Sequence, residues 1–147
     1  PVGSDKTGLN GEDPINVPNN LVPVITQVAS GIIPELVIFG NDWNTRDGTC
    51  IRDYIHVSDI AYAHIKALEF LINVKNESNY EVFNLGTGKG LSVYEVVKAF
   101  EESTGIKLNY RFGPRRPGDT EAVYSNNDNT EKKLNWKPSP LSKTTVS

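Results

Sequence analysis

An α/β fold is what the order of apolar patterns along this chain predicts. Short apolar runs of strand length alternate with longer stretches whose apolar residues recur every three or four positions. Turns rich in glycine separate them, at Gly40-Asn41-Asp42, at Gly86-Thr87-Gly88-Lys89-Gly90 and at Gly105. Ser92 and Glu95 add an S-x-x-E capping box, a local signal for a helix start.

Taken in order, residues 1–18 are rich in Gly, Asp, Asn and Pro without a period and read as a long loop. Asn20 then stands where it can cap a helix carrying Leu21, Val22, Val24, Ile25, Val28 and Ala29, which Gly31 ends. Leu36, Val37, Ile38 and Phe39 form a strand closed by the Gly40 turn. Residues 49–57 carry a second strand, with Ser58 or Asp59 capping a helix whose stripe is Ile60, Ala63, Ala67, Leu68 and Leu71 and whose end is near Asn73. Residues 81–85 read as a third strand before the Gly86 turn. The capping box opens a helix with Val93, Val96, Val97 and Phe100, and Gly105 closes it. Residues 108–112 alternate like a strand, Arg115-Arg116-Pro117-Gly118-Asp119 is an exposed turn, and residues 122–124 and 130–134 supply a last strand and a short helix.

With 147 residues, 37% hydrophobic and 22% charged, the chain has the size of one domain, or of part of a larger one. A net charge of −3 and a pI near 5.4 argue against a nucleic-acid surface, which needs a basic face. No apolar run approaches the ~18 residues of a membrane helix and no secretory leader opens the chain, so neither membrane nor nucleic acid is an expected partner. The lone Cys50 has no partner for an internal disulfide, which is compatible with the expected cytoplasmic location. Asn76-Glu77-Ser78 fits a glycosylation triplet, without meaning unless the protein is secreted. Pro1-Val2-Gly3 reads like the middle of a loop, so a truncated product or an excerpt is expected.

Three patterns imitate active-site motifs. Gly86-x-Gly88-x-Gly90 sits between a strand and a helix, as a dinucleotide-binding loop does, but the third glycine of that fingerprint falls on Leu91 and no acidic residue ends the next strand near Phe112. Tyr62-x-x-x-Lys66 and Tyr94-x-x-x-Lys98 match the acid/base pair of short-chain dehydrogenases, yet neither follows a serine-bearing strand, and each is expected to be a surface or half-buried pair. His56 and His64 lack a second metal ligand at useful spacing, so no metal site is expected.

A different constellation suits a nucleoside diphosphate. Arg52 in a strand and Arg115-Arg116 on a turn offer guanidinium forks that match the oxygens of a pyrophosphate. Asp119 can accept from ribose hydroxyls, and the strand from Leu36 to Phe39 offers backbone groups and an aromatic face to a planar base. The alternative is that these arginines pair with surface carboxylates.

Several stretches, taken together, resemble the UDP-hexose 4-epimerases of the extended short-chain dehydrogenase family. They are Pro1-Val2-Gly3, Gly11-Glu12-Asp13-Pro14, Pro18-Asn19-Asn20-Leu21 and the series Gly40-Asn41-Asp42, Asp47-Gly48-Thr49, Arg52-Asp53-Tyr54-Ile55-His56-Val57. Phe83-Asn84-Leu85-Gly86, Arg115-Arg116-Pro117-Gly118-Asp119 and Leu134-Asn135-Trp136 complete them, in the family's order and spacing.

The resemblance implies the carboxy-terminal, substrate-binding (cap) portion of such an enzyme, in which residues of about 57–86 return to pack on a Rossmann-type NAD domain absent from this chain. It implies that Asn20 and Leu21 contact a UDP-hexose, that Val37, Ile38 and Phe39 hold the uracil, that Arg52 and Arg116 bind the pyrophosphate and Asp119 the ribose, and that Tyr54 shapes the pocket. Val123 stands where the family has either a bulky tyrosine or a smaller residue, and is expected to leave room for an N-acetyl group. The family's NAD loop and catalytic Tyr-x-x-x-Lys lie in its amino-terminal half, so no catalytic or cofactor-binding residue is assigned here. The chain is expected to be inactive alone and the intact protein to be a homodimer. Related nucleotide-sugar epimerases or dehydratases, a UDP-glucuronate 4-epimerase among them, and a non-catalytic nucleotide-sugar-binding module are the alternatives.

Overall fold

The computed structural model describes residues 1–5, 7–12, 15, 18–73 and 80–139. The Asn76 triplet, Asp13-Pro14 and residues 140–147 lie outside that set. The elements run α1 (Leu21–Ala29), β1 (Leu36–Phe39), β2 (Ile51–Arg52), α2 (Val57–Asn73), β3 (Leu91–Ser92), α3 (Val93–Thr104), β4 (Tyr110–Gly113), β5 (Ala122–Val123) and α4 (Asp128–Leu134). This is the alternating α/β order that the apolar pattern predicts.

Two small sheets organise the chain. In one, β1 and β4 lie parallel, Leu36 opposite Tyr110 and Phe39 opposite Gly113. In the other, β2 is central, antiparallel to β3 and parallel to β5, with Arg52 opposite Leu91 on one side and Val123 on the other. One core gathers Ile25 and Val28 of α1, Leu36 and Ile38 of β1, Tyr54, Val96, Val97 and Phe100 of α3, and Leu108. Each large apolar side chain so enclosed contributes about 1.5–3 kcal/mol relative to exposure. A second core joins Ile55, Ala63 of α2, Leu134 and Trp136, with Phe70 and Phe83 edge to face at 5.7 Å between centroids.

The capping box is formed as read: Ser92 Oγ accepts from Glu95 N at 3.0 Å, and Glu95 Oε2 accepts from Ser92 N at 2.8 Å. Gly105 ends α3 in the left-handed region at φ +72, a conformation that costs glycine nothing. Beside it, the buried Glu101 accepts from Leu108 N at 3.0 Å and pairs with Lys98 and Lys107.

Several expected boundaries move. The strand read over 49–57 pairs through Ile51–Arg52, and then by a single bridge between Val2 and His56, because the Asp53 carboxylate draws other segments to itself. Helix α2 begins at Val57, one residue before the expected cap: His56 Nδ1 accepts from Ser58 N at 3.2 Å, and Asp59 is occupied by Ser139. Residues 81–85 do not form a strand, since side chains of α4 satisfy their carbonyls, Asn129 bonding Val82 O and Thr130 bonding Asn84 O. Asn20 sits at the N-cap of α1 with extended backbone, but its side chain makes no cap bond and donates instead to Glu12 Oε1 at 3.3 Å. Along α2 the buried stripe is Ile60, Ala63, Ala67 and Phe70, whereas Leu68 and Leu71 face outward.

Candidate functional site

The site grows from the β2–β5 pair and the turn that leads into β5. In that turn Gly118 takes φ +87, which lets the chain reverse and brings Asp119 N to Arg116 O at 3.2 Å. Asp119 is thereby aimed back at Arg116, whose Nη2 donates to Asp119 Oδ1 at 2.9 Å. Arg52 Nη2 reaches the same oxygen from β2 at 3.3 Å, while its Nη1 donates to Ile51 O and Thr120 O, each at 2.8 Å. One mostly buried carboxylate therefore holds two guanidinium groups, leaving one net positive charge facing the solvent. The bond to Asp119 holds the Arg116 pKa above its ordinary value, so the group stays charged. Arg116 is the more exposed cation, and its guanidinium lies 5.5 Å from the Phe39 ring. This contact ties the end of β1 to the arginine pair.

The backbone of β1 is divided between two edges. Leu36 N donates to Asn109 O and Gly40 N to Gly113 O, both at 2.9 Å, so the even-numbered residues bond toward β4. By the alternation of a parallel ladder, Val37 and Phe39 direct their backbone groups to the opposite edge. Their side chains also alternate: Ile38 is 1% exposed and belongs to the core, Val37 is half-buried, and Phe39 is 41% exposed. Ile38 thus keeps its side chain in the core and its backbone groups toward β4, and Val37 and Phe39 are the residues that face the open edge. Val123, opposite Arg52 in the β2–β5 register and 54% exposed, stands on the same face as that arginine.

The other expected residues join less directly. Leu21 is partly buried against the core that holds Tyr54. Burial pushes the Tyr54 phenol above its ordinary value, so it stays neutral and acts through packing. Asn20 enters from the start of α1, with its amide on Glu12 rather than on this cluster.

Two residues given no role by pattern reading, Asp53 and Trp43, matter here, and Gly86 and Arg115 meet partners that it did not indicate. Asp53, between Arg52 and Tyr54, accepts from Thr87 N and Oγ1 (2.8 and 2.6 Å), Gly88 N (3.2 Å) and Ser125 N and Oγ (3.0 Å each). Burial alone would raise its pKa, but these donors hold it below the usual carboxylate range. Gly86 is required at the joint, because a Cβ there would overlap Asp53 Oδ2 and Ser125 Oγ. Arg115 does not act with Arg116: its guanidinium stacks on Trp43 at 4.1 Å and donates to Asp42 Oδ1 and O at 2.8 and 2.6 Å. The signal for Asp53 was its place inside a motif whose neighbours are functional. For Trp43 and Arg115, 72 positions apart, the sequence carries none.

The imitating patterns have structural partners. Lys66 pairs with Glu69 and lies 5.4 Å from the exposed Tyr62 ring. Tyr94 Oη is 3.1 Å from Tyr110 Oη, with Lys98 5.0 Å from the Tyr94 ring. His64 Nδ1 is 2.8 Å from Ile60 O within its own helix. Among the described residues no group of three or more His, Cys, Asp or Glu is placed to hold a metal ion, and no helix is long and apolar enough to cross a membrane.

Residues 8–146 match the model of the family described as GDP-mannose 4,6 dehydratase. UDP-glucose 4-epimerase 2 of Oryza sativa subsp. japonica is 54% identical over 137 residues, which are 93% of this chain and 33% of that protein. UDP-glucose 4-epimerase of Pasteurella multocida (strain Pm70) is 48% identical over 136 residues, 92% of this chain and 39% of that one. The chain thus spans well under half the length of these curated relatives. Among solved structures, UDP-glucose 4-epimerase from Stenotrophomonas maltophila with bound NAD and formylated UDP-arabinopyranose superposes with a TM-score of 0.93 at 42% identity, over 99% of this chain and 42% of that one. UDP-glucose 4-epimerase from Bifidobacterium longum in complex with NAD+ and UDP gives 0.90 at 42% identity, with the same coverage.

Proposed function

Because this chain belongs to the GDP-mannose 4,6 dehydratase family, we propose that it is the UDP-sugar-binding part of an NAD-dependent UDP-glucose 4-epimerase, an isomerase that interconverts UDP-glucose and UDP-galactose. The observation that carries the reading is the convergence of Arg52, Arg116, Asp119 and Phe39 on one ledge. A UDP handle fits it group by group. Its pyrophosphate meets Arg116, with Arg52 behind, and displaces part of the Asp119 pairing; the freed carboxylate oxygen accepts from the ribose. The uracil lies against the Phe39 ring, its N3–H and O4 directed at the open-edge backbone of Val37 and Phe39. Solved relatives crystallised with UDP and with a UDP-sugar support this choice of handle.

The handle is not the reacting group. Holding it firmly keeps the sugar at the site while the hexose itself turns, so binding energy from a remote part serves the reaction. Asn20 and Leu21, at the start of α1, and Tyr54 beneath are assigned to the pocket wall, and Val123 to the space around the sugar.

The described residues do not fit NAD. The Gly86 turn offers its Thr87 and Gly88 N–H groups to Asp53, a resident carboxylate occupying the place a phosphate would need. We therefore assign NAD, and the hydride chemistry at C4 that it supplies, to protein outside these 147 residues, and give no residue here a role in that step. Residues of about 57–86 are assigned to packing against that part, and the intact protein to a homodimer.

Calorimetric titration with UDP and UDP-glucose tests the reading. The wild type should bind both, and Arg116→Ala should weaken both by roughly 10- to 100-fold, the loss of one or two charge-assisted bonds. A folded protein that ignores UDP, or binds it equally well without Arg116, would remove the basis for the assignment.

A further inference from the structure

The residue pair Trp43 and Arg115 is left over from the site, yet it closes directly on the peptide that ends β1. Trp43 Nε1 donates to Phe39 O at 3.4 Å, and the Arg115 guanidinium covers the indole at 4.1 Å while Asp42 holds its Nε and Nη2. Gly40 makes the closure sterically feasible: it takes φ +82, and a Cβ there would overlap Trp43 Nε1 and press on Arg115 Cγ at 3.1 Å. The loop behind is itself tied, with Trp43 N donating to Gly48 O at 3.0 Å and Thr45 N to Trp43 O at 2.8 Å. Consecutive arginines thus grip β1 at two points, Arg116 on the Phe39 ring and Arg115, through the indole, on the Phe39 carbonyl.

We propose that Trp43 and Arg115 are positioning residues for base recognition, a stacked latch that fixes the Phe39–Gly40 peptide and so aims the open-edge groups of β1. The proposal rests on the reading of residues 37–39 as the edge that holds the base. Glycine is the most freely rotating residue, and at Gly40 it would let that peptide swing unless something outside the ladder held it. The bond that Gly40 N donates to Gly113 O holds it on the β4 side, and the indole N–H holds Phe39 O on the other. The Phe39 N–H lies in the preceding Ile38–Phe39 peptide, on the same edge as Phe39 O. Anchoring that carbonyl keeps Phe39 extended along the β1–β4 ladder and so keeps its N–H on that edge, where a base edge that presents an acceptor is distinguished from one that presents a donor. Uracil presents O4 and N3–H on that edge, whereas cytosine presents the reverse pair.

The experiment compares the calorimetric affinities of the full-length protein for UDP and CDP. The wild type should prefer UDP, and Trp43→Ala should lower that preference about tenfold, the size of one misdirected hydrogen bond. Arg116→Ala should weaken both nucleotides alike and leave their ratio unchanged. If Trp43→Ala does not give a cooperative melt, Arg115→Lys, which keeps the charge but loses the planar stack, is expected to show the same loss of preference. A folded Trp43→Ala or Arg115→Lys protein with the wild-type preference overturns the latch while Arg116→Ala upholds the nucleotide site. A wild type that binds neither nucleotide, or binds them equally, overturns the base-edge reading and the latch with it.

Discussion

Arg52 and Arg116 share one acceptor, yet they are not equivalent. Arg52 already satisfies two backbone carbonyls as well as Asp119, so its removal would leave part-buried acceptors unpaired and would tax stability as well as binding. Arg116 has a single side-chain partner and its face on Phe39, so its loss should be felt chiefly by a ligand. Val123 is a different kind of residue, small, exposed and aligned with Arg52. If its size leaves room beside the sugar, Val123→Tyr in the intact protein should cut activity on UDP-N-acetylglucosamine while sparing UDP-glucose. Unchanged discrimination between the two in a sugar panel would refute that role.

At the scale of elements, the ledge depends on joints made by buried or half-buried polar side chains. Asp53 joins the Gly86 turn and the segment after β5 to the strand that carries Arg52. Asp53→Asn should cost roughly 1–3 kcal/mol in denaturant unfolding at neutral pH, because several donors lose a charged acceptor. The folded-state pKa of Asp53 is lowered, so its contribution is present above the ordinary carboxylate value near 4 and is lost as pH falls through the folded value. The difference between wild type and variant should therefore shrink toward pH 3, and a gap independent of pH would contradict this. Ser92 is a second joint, capping α3 while its hydroxyl also donates to Asp47. Ser92→Ala should lower stability by about 1–2 kcal/mol, read from the shift in denaturant midpoint.

At the scale of the molecule, α2 carries apolar residues on two sides. Ile60, Ala63, Ala67 and Phe70 turn toward α4 and Trp136, but Ile65, Leu68, Leu71 and Ile72 are 52–81% exposed. Large apolar side chains exposed together on one helix face are the mark of a contact surface. The 147-residue chain expressed alone should bind a hydrophobic dye and melt broadly; a sharp melt without dye binding would count against α2 packing on further protein. Apolar periodicity told that α2 is a helix with a buried side, but not which of two apolar sides the chain itself buries.

What the sequence by itself determined were features written in neighbouring residues: the α/β order, the capping box at Ser92, the glycine ends of helices, and the arginine-bearing motifs that resemble a known family. These survive because a cap, a turn or a strand of alternating residues is decided within a few positions of itself. Tertiary structure alone decided which groups meet. It joined Arg52 to Asp119 across 67 positions and separated the adjacent Arg115 and Arg116 onto different partners. It also denied residues 81–85 a strand, since a strand exists through its neighbour, and here the side chains of α4 took the carbonyls that a neighbour would have used. Hydrogen bonds between distant segments follow from packing of the whole chain, which local pattern does not encode.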